Sequence, residues 1–247
     1  MTTPTPPSTP SPPAPRPPPS PVVELEDVTK CYRQGSVDVM ALRGLSFVIR
    51  PGEFATLVGP SGSGKSTALN LIGALDRPTS GRVRVEGRDL AALSARERSH
   101  LRRDRIGFVF QAYNLMPVLT AYENAEIVLA LQGMAEAPRR ERVRHMLAEV
   151  GLAGLEDRRP DELSGGQQQR VAIARAIVSH PAIVLADEPT ANVDSETAEN
   201  LLRLMERLNR ERGATFLFST HDPRVMERAR RVIRIVDGRV EADETKP

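Results

Sequence analysis

The nine residues GPSGSGKST, from Gly59 to Thr67, constrain the fold of this chain more than any other stretch. They follow the strand-like run EFATLVG and precede the helix-like run ALNLIGAL. Gly59, Gly62 and Gly64 let the backbone turn sharply, so that successive N–H groups face one concave surface at the positive end of a helix. A strand, a glycine-rich loop and a helix in this order predict an α/β domain that binds a polyphosphate.

Two side chains of this loop predict what it binds. Lys65 would place a positive charge against the β- and γ-phosphates of ATP, and the Ser66 hydroxyl is placed to ligate Mg²⁺. Lysine is scarce in this chain and occurs at positions 30, 65 and 246. The lysine inside the motif therefore points to a specific role. We also expect the remaining residues of this loop to contact the nucleotide, namely Pro60, Ser61, Ser63 and Thr67.

A pair of acids follows a second strand-like run. The apolar stretch IVLA in AIVLADEPT predicts a strand buried on both faces, and it ends at Asp187 and Glu188. At the carboxyl end of a central strand, Asp187 would hold the Mg²⁺ shell. Glu188 would orient or deprotonate the water that attacks the γ-phosphate. A bare pair of acids is more often a solvated loop, but the same chain also has the phosphate-binding loop Gly59–Thr67, called the P-loop below, which favours the functional interpretation.

A histidine ends a third strand-like run, ATFLFST, in the sequence STHD. If this strand joins the same sheet, His221 lies at the same carboxyl edge and could contact the γ-phosphate or the attacking water. The other histidines, at positions 100, 145 and 180, have no such setting, and we expect them to be ordinary surface residues.

Composition limits the remaining possibilities. The first 21 residues hold 11 prolines among Ser, Thr and Ala, which predicts a disordered tail without a secretory signal. No later apolar run approaches the ~20 residues of a membrane helix. The net charge of +2 does not call for nucleic acid, and the single cysteine, Cys31, fits a reducing compartment. The alternating run VVELEDV predicts an exposed edge strand.

The stretch LSGGQQQR puts two glycines at the start of a predicted helix. Ser164 and Gln167 have the spacing of a capping box, which by itself indicates only a helix start. Glycine costs about 1 kcal/mol relative to alanine inside a helix, so Gly165 and Gly166 need another reason. A bare, positively polarised N-terminus is a second anion site.

Together the P-loop, LSGGQ, ADE and the later histidine, in this order, resemble the nucleotide-binding subunit of ABC transporters. The resemblance covers about residues 22 to 240. It implies a P-loop NTPase ABC cassette of the α/β class, with a RecA-like core, an antiparallel β-subdomain and an inserted helical subdomain. We place the β-subdomain at about 22–58, the core at 59–95 and 168–240, the helical insert at about 96–167, and a C-terminal tail at 241–247. The spacing of Val143, Met146, Leu147 and Val150 supports helix in the insert.

The resemblance also implies roles for individual residues. Two copies would pair head to tail, with Ser164, Gly165 and Gly166 of one copy on the γ-phosphate bound by the other. Tyr32 matches the aromatic residue that stacks on adenine, and Gln111 matches the glutamine that reaches Mg²⁺ and the water. The loop ANVD places Asp194 where the family has an aspartate that crosses the dimer, although Ala191 and Val193 depart from the commoner residues.

A membrane partner follows from the resemblance. The chain is similar to the branch with lipoprotein-release, macrolide-export and cell-division subunits, whose permeases have few spans and a large outer domain. The ATPase would be peripheral, on the cytoplasmic face of the membrane. A docking groove is expected from Tyr113, Leu115, Met116 and Leu119, around Pro117.

Two other classes stay open. A soluble ABC ATPase acting on nucleic acid or ribosomes would usually carry a coiled-coil insert, zinc cysteines or two cassettes, none of which this sequence contains. A non-catalytic ATP-binding regulator would not need Glu188. The transported substrate and the direction of transport are not encoded in any motif.

Overall fold

The computed structural model describes residues 20–246, which form two β-sheets with helices packed around them. The predicted α/β class is therefore confirmed. The proline-rich stretch 1–21 lies almost wholly outside the described residues, so its disorder stays a prediction. The strands are β1 (Val23–Gln34), β2 (Val37–Ile49), β3 (Phe54–Val58), β4 (Ser80–Val85), β5 (Arg88–Asp89), β6 (Ile106–Phe110), β7 (Ile183–Asp187), β8 (Phe216–Ser219), β9 (Arg231–Val236) and β10 (Arg239–Thr245). The helices are α1 (Lys65–Ile72), α2 (Ala95–Arg105), α3 (Ala121–Leu131), α4 (Glu136–Glu149), α5 (Gly165–Ile177), α6 (Ser195–Arg212) and α7 (Pro223–Arg228), with a short 3-10 turn at Pro160–Glu162.

The smaller sheet has four strands in the order β2-β1-β4-β5. The predicted edge position of β1 is wrong, because β1 pairs antiparallel with β2 on one side and with β4 on the other. The alternation of Val23 and Leu25 instead reflects the burial of one face. Strands β4 and β5 also join this sheet, although we had placed their residues in the core.

The larger sheet has six strands in the order β10-β9-β3-β8-β7-β6. Strands β9, β3, β8, β7 and β6 are parallel, and β10 adds antiparallel at one edge. Strand β3 belongs here and not in the antiparallel sheet, since it lies between β8 and β9. Strand β10 runs through most of the residues set apart as a C-terminal tail. The P-loop and the ends of β7 and β8 therefore meet at one edge of one sheet.

Each face of the six-stranded sheet packs against its own apolar cluster. Along β8, Phe216 and Phe218 face the cluster that contains α3, α4, α5 and α6, and Leu217 faces the cluster that contains α1 and the antiparallel sheet. This alternation explains why the central strands are apolar throughout. None of the helices within residues 20–246 is both long and apolar enough to span a bilayer.

The helices expected in the insert are present, with one interruption. In α4 the side chains of Val143, Met146 and Leu147 are buried, as their spacing predicted. Strand β6, however, falls inside the 96–167 range and pairs with β7 of the core sheet. The helical part between core strands is therefore α3, α4 and the start of α5, which lie between β6 and β7 in the chain.

Candidate active site

The loop from Gly59 to Thr67 joins β3 to α1 and has a shape that only glycine permits at two positions. Gly64 precedes α1 with a φ of 103°, and a Cβ there would lie 2.6 Å from the carbonyl oxygen of Ala41. Gly59 has a φ of 151°, and a Cβ there would lie 2.0 Å from the Ile235 carbonyl oxygen. Neither neighbour can move easily, because both are backbone atoms. The glycines therefore fix the loop at the amino end of α1, where its N–H groups point outward.

Lys65 closes this loop on itself. Its ammonium donates to the carbonyl oxygen of Gly59 at 2.8 Å and to that of Pro60 at 3.0 Å. Inside the loop, the Ser63 hydroxyl is buried without a hydrogen-bond partner in the described part of the chain. The loop thus combines a cation with a hydroxyl whose hydrogen-bonding capacity is unused.

Ser66 meets the end of β7. Its hydroxyl donates to Asp187 Oδ1 at 3.2 Å, across a separation of 121 residues in the chain. The predicted neighbours of a hard cation are therefore brought together. A hydroxyl and a carboxylate are oxygen ligands that suit Mg²⁺, so this donor pair fits the expected ion.

Glu188 is held at a fixed position beside this pair. Its backbone N–H donates to the Ser219 carbonyl oxygen at 2.9 Å, although its φ of 45° is unusual for a residue with a side chain. Its Oε2 accepts from the Thr220 hydroxyl at 2.8 Å, and its Oε1 lies 2.6 Å from Nδ1 of His221. The carboxylate thus has a partner at each oxygen, and the exposed imidazole lies where it can reach solvent or a ligand.

Thr220 was missed in the sequence, although it stands beside His221 in STHD. Its hydroxyl oxygen accepts from the Asp222 N–H at 3.0 Å, so its proton is free for Glu188. Thr220 is completely buried, and its hydrogen bond to Glu188 is partly buried. A threonine after a buried strand gave no signal of its own, because its role depends on the position of β7.

Gln111 follows β6, whose last residue, Phe110, pairs with Asp187 of β7. Its side-chain amide donates to Asn192 Oδ1 at 3.3 Å, and the Asn192 amide donates back to the Gln111 carbonyl oxygen at 3.0 Å. Among the described residues it makes no hydrogen bond with Ser66 or Asp187, and its contact with Mg²⁺ and the attacking water stays a prediction. The Asn192 side chain thus bonds both the side chain and the backbone of Gln111, which accounts for the orientation of the Gln111 side chain.

The residues Ser164–Gln167 of the LSGGQ stretch, called the signature below, cap α5 as their spacing predicted. The Ser164 hydroxyl accepts from the Gln167 N–H at 3.3 Å, and the Gln167 side chain accepts from the Ser164 N–H at 2.9 Å. Both glycines are helical, and a steric requirement explains why glycine stands at these positions. A Cβ on Gly165 would lie 2.8 Å from the Tyr113 hydroxyl, and one on Gly166 would lie 2.4 Å from Cγ2 of Thr197. The bare helix start therefore lets two other segments of the same chain approach it.

Asp194 caps the neighbouring helix, α6. Its carboxylate accepts from the N–H of Thr197 at 2.9 Å and from the Thr197 hydroxyl at 2.6 Å. These hydrogen bonds hold the pKa of Asp194 below its ordinary value. Within this chain the residue therefore acts as a helix cap, next to the signature, and makes no hydrogen bond with the P-loop among residues 20–246.

Tyr32 lies in β1 and points towards the end of the P-loop. Its hydroxyl donates to Asp76 Oδ2 at 2.9 Å. Burial and this hydrogen bond raise the pKa of Tyr32, while the Thr67 hydroxyl has the opposite effect. The tyrosine expected against the base is thus beside the last residue of the phosphate loop.

The docking groove expected around Pro117 stays a prediction, and the structure holds a separate cleft beside that segment. A cleft of about 430 Å³ lies between the core side chains Leu75, Phe108 and Phe110 and the helical side chains Val128 and Arg175. From the segment 113–119 only Asn114 lines it. Leu115 instead packs against the apolar cluster of the helices, and the Tyr113 hydroxyl donates to the Asn192 carbonyl oxygen at 3.1 Å.

Within the described residues, the P-loop and the start of α5 are separate. No hydrogen bond in residues 20–246 joins Gly59–Thr67 to Ser164–Gln167. The carboxylates and the histidine gather on the side of the P-loop, whereas the signature stands with Tyr113 and Asp194.

Comparison with known proteins agrees with this arrangement. Residues 42–191 match the family described as "ABC transporter". The lipoprotein-releasing system ATP-binding protein LolD of Anaeromyxobacter dehalogenans is 51% identical over 224 residues, which are 90% of this chain and 94% of that protein. The macrolide export ATP-binding/permease protein MacB of Syntrophobacter fumaroxidans is 48% identical over 90% of this chain. The match covers 31% of MacB, so the chain spans about a third of that relative.

A solved structure is similar as well. The ATP-binding cassette MJ0796, a protein of Methanocaldococcus jannaschii, was solved as a dimer in a post-hydrolysis state bound to ADP and Pi. It superposes with a TM-score of 0.84 at 44% identity and covers 91% of this chain and 99% of its own. The fold, the P-loop and these relatives lead to one conclusion: the chain belongs to the ABC transporter family, as an ATP-binding and ATP-hydrolysing cassette.

Proposed function

We propose that this cassette drives a separate membrane permease, and that it hydrolyses Mg-ATP between two copies of itself. The observation that carries the catalytic part is Glu188, whose carboxylate is held by Thr220 and His221 beside the Ser66–Asp187 pair. Relatives named for lipoprotein release and macrolide export support the transport part, and they give the nucleic-acid alternative no support.

In the proposed mechanism, the P-loop N–H groups and Lys65 bind the phosphates, and Tyr32 stacks on the base. Ser66 and Asp187 would hold Mg²⁺, which when bound offsets phosphate charge. Gln111 would join them only after leaving Asn192. Glu188 orients the attacking water and accepts its proton, while His221, hydrogen-bonded through Nδ1, keeps the carboxylate in place and contacts the γ-phosphate.

The second copy would complete the site. Ser164, Gly165, Gly166 and Gln167 present a helix start without charged side chains, and we propose that this end binds the γ-phosphate held by the partner copy. Asp194, which fixes the neighbouring helix start, would lie at the same interface. Because ATP would contact both copies, it binds the closed dimer better than separate chains, and hydrolysis releases the closure.

The receiver of this motion would be an integral membrane permease with few spans and a large outer domain, which holds the cassette at the cytoplasmic face. We propose that it docks at the 430 Å³ cleft, where Leu75 is half exposed between the core and the helical part. A movement of the helices relative to the core would reach the partner at this cleft.

The test of turnover and dimerisation is Glu188→Gln. Loss of the proton acceptor should lower ATP turnover about 100-fold or more and leave ATP binding intact. Light scattering should then show a dimer that persists in Mg-ATP. Glu227→Gln, at an exposed position on α7, is the matched control and should behave like the unchanged protein. A Glu188→Gln protein that stays monomeric in Mg-ATP would contradict the composite site.

The test of the partner uses the same trapped protein. Pulled down from solubilised native membranes with Mg-ATP, it should bring a permease of the stated kind, identified by mass spectrometry. Leu75→Asp in the same background should lose that permease and keep ATP binding, whereas Ala92→Asp, at an exposed loop position, should retain it. Recovery of soluble proteins or nucleic acid alone would overturn the transport proposal.

A further inference from the structure

Three side chains beside the P-loop helix form a connected cluster that the mechanism above does not use in full. Lys30 and Tyr32 are two residues apart in β1, so they lie on the same face of the strand. Asp76 follows α1, the helix that starts at the P-loop. Lys30 Nζ donates to Asp76 Oδ1 at 2.7 Å, and the Tyr32 hydroxyl donates to Asp76 Oδ2 at 2.9 Å.

The cluster is anchored at each end. Asp76 Oδ1 also accepts from the Arg77 N–H at 2.7 Å, and Lys30 Nζ donates to the Arg77 carbonyl oxygen at 2.8 Å. Hydrogen bonds to a carboxylate are shorter and stronger than those between neutral groups. Burial opposes the charge of Asp76, but the bonds from Lys30, Arg77 and Tyr32 outweigh it and hold the pKa of Asp76 below its ordinary value. The carboxylate is therefore a fixed, charged acceptor for the tyrosine.

The position of Lys30 decides which side of the tyrosine ring is open. Its ammonium lies 4.7 Å from the ring centroid, over one face. That is cation–π distance, so the face is occupied by a favourable contact. A planar base can then stack only on the opposite face. Because the hydroxyl is committed to Asp76, the ring offers this base a surface and no hydrogen bond to its edge.

We propose that Asp76 and Lys30 are positioning residues that set the Tyr32 ring for stacking on the base of the bound nucleotide. This inference rests on the proposed role of Tyr32 and adds residues outside the nucleotide-contacting set. If so, the P-loop binds the phosphates, and the cluster of Lys30, Tyr32 and Asp76 determines how much the base adds to the affinity for the nucleotide. Stacking needs only an aromatic face, so the cluster should help purine nucleotides in general.

The experiment compares Asp76→Asn with Tyr32→Phe, which removes only the hydroxyl. Loss of one hydrogen bond to a charged group should raise the KM for ATP about tenfold, with kcat changed less than about twofold. The double variant should be no worse than either single variant, since both remove the same contact. Inorganic tripolyphosphate, which has the phosphates and no base, should inhibit all three proteins with the Ki of the unchanged protein.

Three results would overturn the inference. If Asp76→Asn raises the Ki of tripolyphosphate as much as the KM of ATP, Asp76 acts through α1 and the P-loop and not through the ring. If Tyr32→Ala raises the KM but Asp76→Asn and Tyr32→Phe leave it unchanged, stacking stands and the positioning role falls. If Tyr32→Ala itself leaves the KM unchanged, the proposed role of Tyr32 fails, and the inference with it.

Discussion

The P-loop and the signature are both glycine-containing turns at the start of a helix, yet their glycines serve different purposes. In the P-loop, Gly59 and Gly64 adopt positive φ values that side chains rarely tolerate. In the signature, Gly165 and Gly166 are ordinary helical residues that let Tyr113 and Thr197 come close. One pair determines the path of the backbone, and the other makes room for neighbours.

The two regions also differ in charge. The P-loop has Lys65 within it and three ionisable side chains nearby, at positions 187, 188 and 221. The segment Ser164–Gln167 has no ionisable side chain and relies on its helix N-terminus. This difference fits the proposed site that is shared between two copies. The pattern "glycines before a helix" therefore does not by itself state a function.

The largest effect is expected when one glycine in each region is replaced by alanine. Gly64→Ala should lower the free energy of unfolding by about 4 kcal/mol, because a positive φ and a backbone overlap are both unfavourable. Gly165→Ala should change it by less than about 1 kcal/mol, since alanine favours the helix and only the Tyr113 hydroxyl must move. Urea unfolding measures both values. Equal losses in the free energy of unfolding would mean that the glycines of the two regions serve the same purpose.

The second largest effect is expected from the lysine. Lys65→Ala should weaken ATP binding about 100-fold, roughly 3 kcal/mol, because a charged contact to the phosphates is removed. Lys246→Ala is the control, since that ammonium bonds backbone carbonyl oxygens of α7, far from the P-loop in the chain. Isothermal titration of each protein with ATP gives the affinities. Unchanged binding by Lys65→Ala would contradict the P-loop assignment.

The signature should affect ATP-dependent dimerisation and not ATP binding by a single copy. Ser164→Ala removes the cap of α5 and should cost about 1 kcal/mol of stability. Ser94→Ala removes the same capping box from α2 and should cost as much. ATP binding to the monomer should be unchanged in both, but only Ser164→Ala should weaken the ATP-dependent dimer in light scattering. If Ser94→Ala weakens it equally, general stability and not the signature is responsible.

The smallest effect concerns how the helical part is held to the core. Arg212 donates to Glu149 Oε1 at 2.8 Å and also bonds Oε2, which joins the end of α4 to the end of α6. These bonds lower the pKa of Glu149, against the effect of burial. A lowered folded-state pKa means stability that is present above the ordinary pKa and lost as the pH falls through the folded value.

Glu149→Gln should therefore cost about 1 kcal/mol at neutral pH. The difference from the unchanged protein should shrink as the pH falls below the ordinary pKa of glutamate. Glu136→Gln breaks an exposed pair with Arg140 and should cost almost nothing at any pH. Urea unfolding across pH measures both. A deficit in Glu149→Gln that stays constant into acid would show that charge is not the cause.

The sequence predicted the parts of the site that depend on neighbouring residues. The P-loop between β3 and α1, the buried strand before Asp187 and the capping box at Ser164 all follow from local patterns. The sheets to which β3, β4 and β10 belong could not be predicted from local patterns, because strand pairing joins segments far apart in the chain. For the same reason the contact of Gln111 with Asn192 could not be read from IGFVFQ.

The side chains that were missed share one property. Thr220, Asn192 and Thr197 are ordinary polar residues, and their importance comes from what lies opposite them: Glu188, Gln111 and Gly166. A motif marks residues whose chemistry is unusual. It does not mark the common residues that hold them in position.

The place of β3 in the sheet has a consequence for synthesis. This strand carries the P-loop, and its two neighbours are β8 and β9, so that Phe54 pairs with Phe216 and Ala55 with Arg231. Contacts between such distant segments form late in folding, because a long loop must close first. On the ribosome, the P-loop strand would therefore emerge before β8 and β9, the strands that it pairs with. We expect the nascent chain to bind ATP tightly only after β8 and β9 have been made.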